Sequence, residues 1–403
     1  MKGSRVATRA ATWTDPPADE AGVVAWLREM CDSGSIRHDP NGDWHIFGYA
    51  DVLDALSNHA AFSNAVVGPP PEDSPMNLYR TGNLSWMDPP RHRQLRALVN
   101  RVFTPRYVAG LEPMVIATVE EFLDKIRSAD RIAYVEEYAA PVVSTVIARM
   151  VGIPPGGTRL FRQWSKDLMA LADPETTNDG LQTVFTNTQV IGLYLREFIQ
   201  KRRRDPRDDL TSGLIAAEVD GERLDDAEIA GLIAHLLATG QAATLTLVNA
   251  VICLDQHPAA TARLRSDPTL LGTTVEEVMR FRNQTTRLTR RTVEDVSIGG
   301  HVIPAGQSVS IWLAAANRDP RAFPDPDTFD IERAPNPHLA LGHGIHYCLG
   351  TSLARMEIGI ALDRLLRETR HFSVDYATSR LLDPRQMFGA NEISLRVDWL
   401  DPR

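Results

Sequence analysis

The chain has 403 residues and a formal net charge of -9 at pH 7, with 43% hydrophobic and 24% charged residues. These proportions are typical of soluble globular proteins and exclude a disordered or fibrous chain. The acidic excess argues against a nucleic-acid-binding protein, because a protein that neutralises phosphates needs a basic surface.

The three cysteines, Cys31, Cys253 and Cys348, are far apart and odd in number, which does not describe a disulfide framework. The first residues contain no apolar signal segment, and no uncharged apolar run is expected to reach the length of a membrane span. We therefore expect a soluble protein of the reducing cytoplasm, with no membrane partner.

In chain order, the first predicted elements are a helix over residues 22–30, a strand over 43–49 and a helix from residue 50. A loop rich in Pro and Gly covers 64–83 and is long enough to be a lid or binding loop, although a disordered surface loop fits its composition equally well. Helical spacing recurs at 113–127, 139–151 and 183–202. Short strand-like runs follow residue 279, and a last helix follows residue 350.

Residues 225–258 predict one long central helix. Asp225 suits its first turn, and Pro258 ends it. Nearly every side chain between Ile229 and Leu254 is apolar or small. We therefore expect this helix to be buried on all sides and to form the centre of the fold.

The segment HLALGHGIHYCLG, residues 338–350, combines three histidines, one cysteine and three glycines. Zinc is one interpretation, since His338, His343, His346 and Cys348 are legitimate ligands, but structural zinc sites use paired clusters and no second cysteine is near. A haem-thiolate loop explains more of the pattern. Glycines let the backbone approach a flat macrocycle, and a helix beginning after Cys348 aims N–H groups at the sulfur, which lowers the thiol pKa and tunes the iron.

This segment resembles the haem loop of the cytochromes P-450, F-x-x-G-x-x-x-C-x-G. Leu341, Gly344, Cys348 and Gly350 occupy the motif positions, with Leu in place of the usual Phe. The resemblance implies that Cys348 is the metal ligand and that heme b is the cofactor.

Two further segments follow in family order. EEVMR resembles the family motif E-x-x-R and places Glu277 and Arg280 on one helix face. Residues 316–333 resemble the segment that approaches the meander of the family, and they supply Arg333 as the partner of Glu277 and Arg280. Taken alone, Glu and Arg three residues apart are common on solvated helices. The resemblance implies one structural network of three charges.

Residues 87–106 resemble the C-helix of the family. His92 and Arg96 are one helical turn apart, so both can donate hydrogen bonds to the same haem propionate. Arg290 and His346 resemble the remaining propionate ligands, although each alone is equally consistent with a surface cation. The resemblance covers nearly the whole chain and implies a single domain, with a β-rich lobe from about 30–60 and 285–400 and an α-rich lobe from about 85–280.

The central helix departs from the family pattern A-G-x-(Asp or Glu)-Thr-(Thr or Ser). Gly240 occupies the glycine position and Gln241 the variable one, whereas Ala242 and Ala243 replace the acid and the alcohol that deliver protons in the family. Three proton sources stay open: Thr244 or Gln241 through ordered water, a polar group of the substrate, or hydrogen peroxide used directly as oxidant. We favour water and substrate together, so Gly240, Gln241 and Thr244 are the predicted catalytic residues; back-bonding of Thr239 and Thr244 within the helix is the alternative.

The resemblance implies an oxidoreductase that uses dioxygen and two electrons from a ferredoxin. The chain contains no Gly-rich nucleotide fingerprint and no cysteine cluster, so ferredoxin and ferredoxin reductase are expected as separate proteins. Four basic residues of the C-helix region form a candidate docking face, with ordinary solvation as the alternative: Arg91, Arg93, Arg101 and Arg106. We expect a monomer.

The predicted substrate contacts are Asn64, Trp86, Gln241, Gln284, Thr285 and Phe388. This mixture of apolar, amide and hydroxyl groups favours a mid-sized secondary metabolite with hydrogen-bonding groups, such as an aromatic cyclic dipeptide, an alkaloid or a macrolide. Hydroxylation and oxidative coupling both fit. Two other classes stay open: a haem-thiolate sensor without turnover, motivated by the missing proton relay, and a non-haem metal or zinc protein.

Overall fold

A computed structural model describes residues 13–65, 77–170 and 177–400 of the chain. Residues 66–76 of the predicted lid loop lie outside the described residues. The helices within the described ranges are α1 (Glu20–Asp32), α2 (Tyr49–Ser57), α3 (Asn77–Arg80), α4 (Arg91–Val102), α5 (Pro105–Gly110), α6 (Glu112–Ile126), α7 (Ala140–Val151), α8 (Pro155–Ala170), α9 (Asn178–Arg204), α10 (Leu210–Ala216), α11 (Asp226–Thr239), α12 (Gln241–Gln256), α13 (Pro258–Ser266), α14 (Leu271–Phe281), α15 (Leu313–Ala316) and α16 (Thr351–Glu368).

The strands are short and lie mostly at the two ends of the chain. They are β1 (Ile36–His38), β2 (Trp44–Ile46), β3 (Phe62–Ser63), β4 (Arg131–Ala133), β5 (Leu288–Thr292), β6 (Val296–Ile298), β7 (His301–Ile303), β8 (Ser308–Ile311), β9 (Thr369–Val374), β10 (Arg380–Leu381), β11 (Ala390–Glu392) and β12 (Ser394–Trp399). The predicted fold class, mainly α with a smaller β region, is confirmed.

One sheet has the strand order β1-β2-β8-β5-β3, in which only the β2–β8 pair is parallel, and a second has the order β4-β12-β9. The larger sheet packs against α2 over an apolar core of its own. Side chains alternate along β5, so Arg290 is buried while Thr289 and Arg291 are exposed. The strand therefore points the Arg290 side chain toward the interior of the protein.

The largest core cluster is built around α11 and α12, with contributions from α4, α6, α7, α14 and α16. The start of α11 agrees with the sequence prediction, because the Asp225 carboxylate accepts from Glu228 N while the Glu228 carboxylate accepts from Asp225 N. This capping box satisfies two backbone donors that the first turn would otherwise leave without partners.

The prediction of one continuous central helix is wrong. Gly240 interrupts it between α11 and α12, and Ala243 N donates to Gly240 O at 3.0 Å, which is a tighter turn than an α-helical one. A Cβ at Gly240 would lie 2.2 Å from Cδ1 of Ile147, so a larger residue here would require the end of that flexible α7 side chain to move. Around this break several side chains are only partly buried, in contrast to the buried runs on either side.

By length and composition, the segment Asp226–Gln256 is apolar enough to cross a membrane, with a mean hydropathy of 1.6 over its most apolar window. The expectation that no run in the chain reaches this length is therefore wrong. However, 67% of that window is buried inside the protein, which is the behaviour of a core helix.

Candidate active site

A cavity of about 290 Å³ lies at the break between α11 and α12. Its walls come from α4, both halves of the central helix, the loop that contains Cys348, and the first turns of α16. Segments far apart in the sequence thus meet at one internal space of the size that binds a small molecule.

The cysteine loop holds Cys348 at the wall of this cavity, half-buried. Its N–H donates to Leu341 O at 2.9 Å, and Thr351 Oγ1 donates to Cys348 O at 2.8 Å, so hydrogen bonds on both sides fix the backbone around the thiol. Gly344 adopts a φ of +69°, and a Cβ there would lie 2.8 Å from Leu56 O. Only glycine tolerates both the left-handed backbone and this close approach.

The histidines of the loop do not assemble a metal site with Cys348. No group of three or more His, Cys, Asp or Glu side chains within the described ranges is arranged to hold a metal ion. His338 Nε2 instead lies 3.1 Å from Glu276 Oε2, in a pair that Arg355 also joins. The geometry therefore does not support the zinc interpretation.

Three basic side chains line the cavity, His92, Arg96 and His346, and Arg290 lies close to His346. The rings of His92 and His346 are 4.3 Å apart between centroids, and Nε2 of each is buried without a hydrogen-bond partner among the described residues. Arg96 donates to Tyr347 O at 2.9 Å, and the buried Arg290 donates to Thr289 O at 2.9 Å. Neither arginine forms a salt bridge with a carboxylate of the described chain, which is unusual for a guanidinium group as buried as that of Arg290.

Burial shifts the pKa values of three of these basic side chains toward the neutral form. Burial lowers the pKa of Arg290 to about 10, although the Asp88 charge opposes the shift. Burial, together with the charges of His92 and Arg290, lowers the pKa of His346 to about 3. Burial and the Arg96 charge likewise lower the pKa of His92. An anion bound among these groups would reverse these shifts, because an opposite charge favours the protonated form.

Beside the cavity, Glu277 and Arg280 form a fully buried bidentate pair, with Nε–Oε2 and Nη2–Oε1 distances both 2.7 Å. Arg333 Nε lies 3.2 Å from Glu277 Oε2, so the structure brings the three predicted network residues together. Arg280 also donates to the carbonyls of Asn317, Pro326 and Thr328. These bonds tie α14 to the segment that leads into the cysteine loop.

The family model of Cytochrome P450 matches residues 177–392. Cyclomarin C epoxidase of Salinispora arenicola (strain CNS-205) is 36% identical to the chain over 371 residues, which cover 90% of this chain and 94% of the relative. The chain belongs to the cytochrome P450 family. Erythromycin C-12 hydroxylase of Saccharopolyspora erythraea is 36% identical over 369 residues, covering 90% of this chain and 91% of the relative.

Solved structures agree with this assignment. HmtT, involved in himastatin biosynthesis, superposes with a TM-score of 0.83 at 38% identity, covering 92% of this chain and 96% of that chain. The ligand-free P450 TbtJ1 superposes with a TM-score of 0.85 at 36% identity, covering 94% and 97%. This P450 is therefore a monooxygenase-type oxidoreductase with heme b as its cofactor. The buried cations at one end of the cavity fit the two propionates of that group.

The central helix of this P450 presents Thr239, Gly240, Ala242, Ala243 and Thr246 to the cavity. Of the three predicted catalytic residues, only Gly240 is among them. Thr244 faces the core instead, 2% exposed, and its Oγ1 is buried without a hydrogen-bond partner among the described residues, so the predicted back-bond does not form there. Thr239 does form the predicted back-bond, since its Oγ1 donates to His235 O at 2.8 Å. Gln241 lies at the start of α12, half-buried and outside the cavity wall. Both miss the cavity because it lies on the helix face of residues 239, 242, 243 and 246.

Among the predicted substrate contacts, Gln284 and Thr285 line the cavity. Asn64, Trp86 and Phe388 do not. Trp86 is 41% exposed, Asn64 is buried beside Asp88, which accepts from its backbone N at 3.0 Å, and Phe388 packs into the apolar core beneath α1. Sequence reasoning placed these residues from their order along the chain, which does not determine the direction of a side chain.

The structure adds His235 to the cavity wall, and it places the Nε2 of that residue 3.4 Å from Ser85 Oγ. Burial lowers the pKa of His235 to about 4, so its ring is neutral at pH 7. Sequence reasoning did not single out His235. The available signal was a titratable side chain in an otherwise apolar helix, four residues before Thr239.

Proposed function

We propose that this P450 oxidises a mid-sized secondary metabolite that carries hydrogen-bonding groups, with dioxygen as oxidant and ferredoxin as electron donor. The observation that carries the proposal is the composition of the cavity wall. Apart from His92, Arg96, His346 and Glu357, its side chains are mostly apolar, with polar groups on Ser85, His235, Thr239, Thr246, Gln284 and Thr285. Such a wall favours a largely apolar ligand with a few fixed polar groups. Relatives named for cyclomarin C, erythromycin and himastatin support a natural-product substrate.

In this proposal Cys348 would bind the haem iron through its sulfur, and His92, Arg96, Arg290 and His346 would hold the propionates. The chemistry that this group would supply when bound is oxygenation, in which one dioxygen, two electrons and two protons convert the substrate to its oxygenated product and one water. Loss of the buried positive charges would weaken cofactor binding, since each charge-assisted hydrogen bond contributes about 1.5–3 kcal/mol.

His235 and Ser85 orient the substrate. A neutral imidazole has one donor and one acceptor nitrogen, so it can bind an amide or hydroxyl group without adding charge to the cavity. Gln284 supplies an amide group to the same cavity wall, and its Oε1 is buried without a hydrogen-bond partner among the described residues. This arrangement favours an aromatic cyclic dipeptide or an alkaloid, hydroxylated or oxidatively coupled.

Ferredoxin docks in this proposal on the face formed by α4 and α5. Arg93, Arg101 and Arg106 are exposed and form no salt bridge within the described part of the chain. Arg91 is different, because Glu228 and Glu222 already pair with it, so we leave it out of the docking face. Arg96 links the same helix to the cysteine loop, which gives this face a short route to the thiolate. We further propose that the protein is a cytoplasmic monomer supplied with electrons by ferredoxin reductase.

The test is a carbon monoxide spectrum of the reduced protein, followed by turnover with surrogate ferredoxin and reductase. We expect the red-shifted Soret band of a thiolate-ligated haem, its loss in Cys348→Ser, and its retention in Cys31→Ser, whose sulfur lies in the core near Phe47 O. A panel of cyclic dipeptides, alkaloids and macrolides then identifies the substrate by product mass. A Soret band unchanged in Cys348→Ser would contradict the proposal.

A macrolide or polyketide hydroxylase is the second candidate, favoured by the similarity to erythromycin C-12 hydroxylase. Macrolide turnover without cyclic dipeptide turnover would select it. A haem-thiolate sensor would show the Soret band but no substrate-dependent consumption of NADPH.

A further inference from the structure

Two glycines bring the segment 81–86 into direct backbone contact with α11. A Cβ added at Gly231 would lie 1.3 Å from Thr81 O, and one added at Gly82 would lie 2.4 Å from Glu228 O. Both obstacles are backbone atoms, which cannot rotate away as the end of a flexible side chain can. Gly82 also has a φ of +78°, a conformation that residues with a side chain rarely adopt. The two backbones therefore pack at a distance that only glycine at both positions permits.

This contact sets the register between the two segments. His235 follows Gly231 by four residues and so lies one turn further along the same face of α11. Ser85 follows Gly82 by three residues, and its Oγ lies 3.4 Å from Nε2 of His235. Ser85 and His235 both line the cavity. The glycine contact and the Ser85–His235 contact are thus neighbouring points of one interface.

The chain between these two points is fixed by its own hydrogen bonds. Asn83 is buried, and its Oδ1 accepts from Ser85 N at 3.0 Å at the start of a 3₁₀ turn over Leu84–Trp86. A second tie follows at the start of α4, where Arg91 forms a salt bridge with Glu228 of α11. A shift of the glycine contact would therefore carry Ser85 with it.

We propose that Gly82 and Gly231 are positioning residues of the substrate cavity. Their contact fixes the spacing between the segment 81–86 and α11, which limits the width of the cavity at this wall and holds Ser85 against His235. The inference rests on the proposed function, in which Ser85 and His235 orient the substrate. Because backbone packing places this pair before a ligand arrives, the ligand does not have to order it on binding. The cavity therefore selects ligands that fit a fixed wall.

The test compares Gly231→Ala with Gly359→Ala, in the interior of α16, where an added Cβ would meet no atom of the described chain within 4 Å. The first measurement is the pKa of His235 in the reduced, carbon monoxide-bound protein, from an NMR titration in which His235→Leu assigns the signal. Burial lowers this pKa to about 4, so the ring reports whether the segment 81–86 still covers it.

We expect the pKa of His235 to rise toward its ordinary value of 6.5 in Gly231→Ala, because the displaced segment admits water to the ring, and to stay near 4 in Gly359→Ala. A folded Gly231→Ala protein in which His235 titrates as in the wild type would overturn the proposal.

The second measurement is the binding of two haem ligands of different size in spectral titrations. Imidazole needs little more than the iron, whereas the phenyl ring of 4-phenylimidazole reaches further into the cavity. Displacement of the wall removes apolar contacts from the larger ligand, so we expect Gly231→Ala to weaken 4-phenylimidazole binding about tenfold and to leave imidazole binding within about twofold of the wild type. Equal changes for both ligands, or none, would overturn the role in the cavity and leave the haem assignment intact. A wild type without a thiolate Soret band would instead overturn the proposed function.

Gly82→Ala provides a second variant if Gly231→Ala does not fold, because it opposes the same contact from the other segment. We expect both measurements to change in the same direction as in Gly231→Ala. In urea unfolding, the double variant should lose clearly less stability than the sum of the two single variants, since substitutions at one contact are not additive. Fully additive losses would show that the two glycines act at separate places and would contradict the proposal.

Discussion

Replacing Glu277 by Gln tests the buried charge network most directly. The Glu277 carboxylate accepts hydrogen bonds from Arg280, Arg333, Asp330 N and Asn336 Nδ2, with no exposure to solvent. The substitution removes the charge and turns an amide N–H toward groups that are themselves donors. The buried Arg280 then loses its counter-ion, and breaking a buried pair in this way costs about 3–5 kcal/mol.

The assay is urea unfolding followed by circular dichroism, with Asp363→Asn as the matched control. Asp363 pairs with Arg367 four residues away on an exposed helix face, and such pairs contribute only about 0.3–0.5 kcal/mol. We therefore expect a large drop in the urea midpoint for Glu277→Gln and almost none for the control. Equal small losses in both variants would show that the network is solvated or relaxes, and would refute the reasoning.

Three further outcomes are expected. Arg290→Leu should lower haem retention about tenfold or more in a dialysis assay, whereas Arg291→Leu, on the exposed face of the same strand, should not. Equal losses of haem in both variants would contradict the assignment of Arg290 as a propionate ligand. The Glu357 carboxyl keeps its proton in the folded protein up to about pH 8, whereas the unfolded chain loses it near pH 4.5, so the free energy of unfolding should fall by about 3 kcal/mol between pH 4.5 and pH 7. Urea titrations at several pH values should show this fall in the wild type and a flatter dependence in Glu357→Gln. An unchanged slope in the variant would contradict the raised pKa. His235→Leu should raise the substrate dissociation constant about tenfold in spectral titrations without altering the carbon monoxide band; unchanged affinity would remove His235 from the substrate site.

Sequence reasoning was most effective where chemistry lies within one short segment. The cysteine loop needs only thirteen contiguous residues, and the left-handed glycine at 344 is readable from the motif itself. The pairing of Glu277 with Arg280 is likewise visible from helical spacing, because side chains three residues apart share a face. Burial of that pair is not visible, since it depends on the chain that packs over it.

The central helix shows where this reasoning ends. Helical propensity and apolar composition predicted its length, but they did not reveal the break at Gly240, where the Ile147 side chain of α7 packs close to the helix backbone. The prediction of Thr244 and Gln241 as catalytic residues followed the order of a family motif. In the structure the cavity lies on the face of Ala242, Ala243 and Thr246, so both side chains miss it.

The sequence by itself determined the cofactor class, the family and the loss of the usual acid and alcohol, because each of these is encoded in contiguous residues. Only the tertiary structure decided which side chains line the cavity. Glu357 occurs four residues after Leu353 and four before Ala361, on an apolar helix face, yet nothing local reveals what that face packs against. A cavity forms where α16 meets α11 and α12, which begin over a hundred positions earlier in the chain. The burial that keeps the Glu357 carboxyl protonated exists only after these helices have packed.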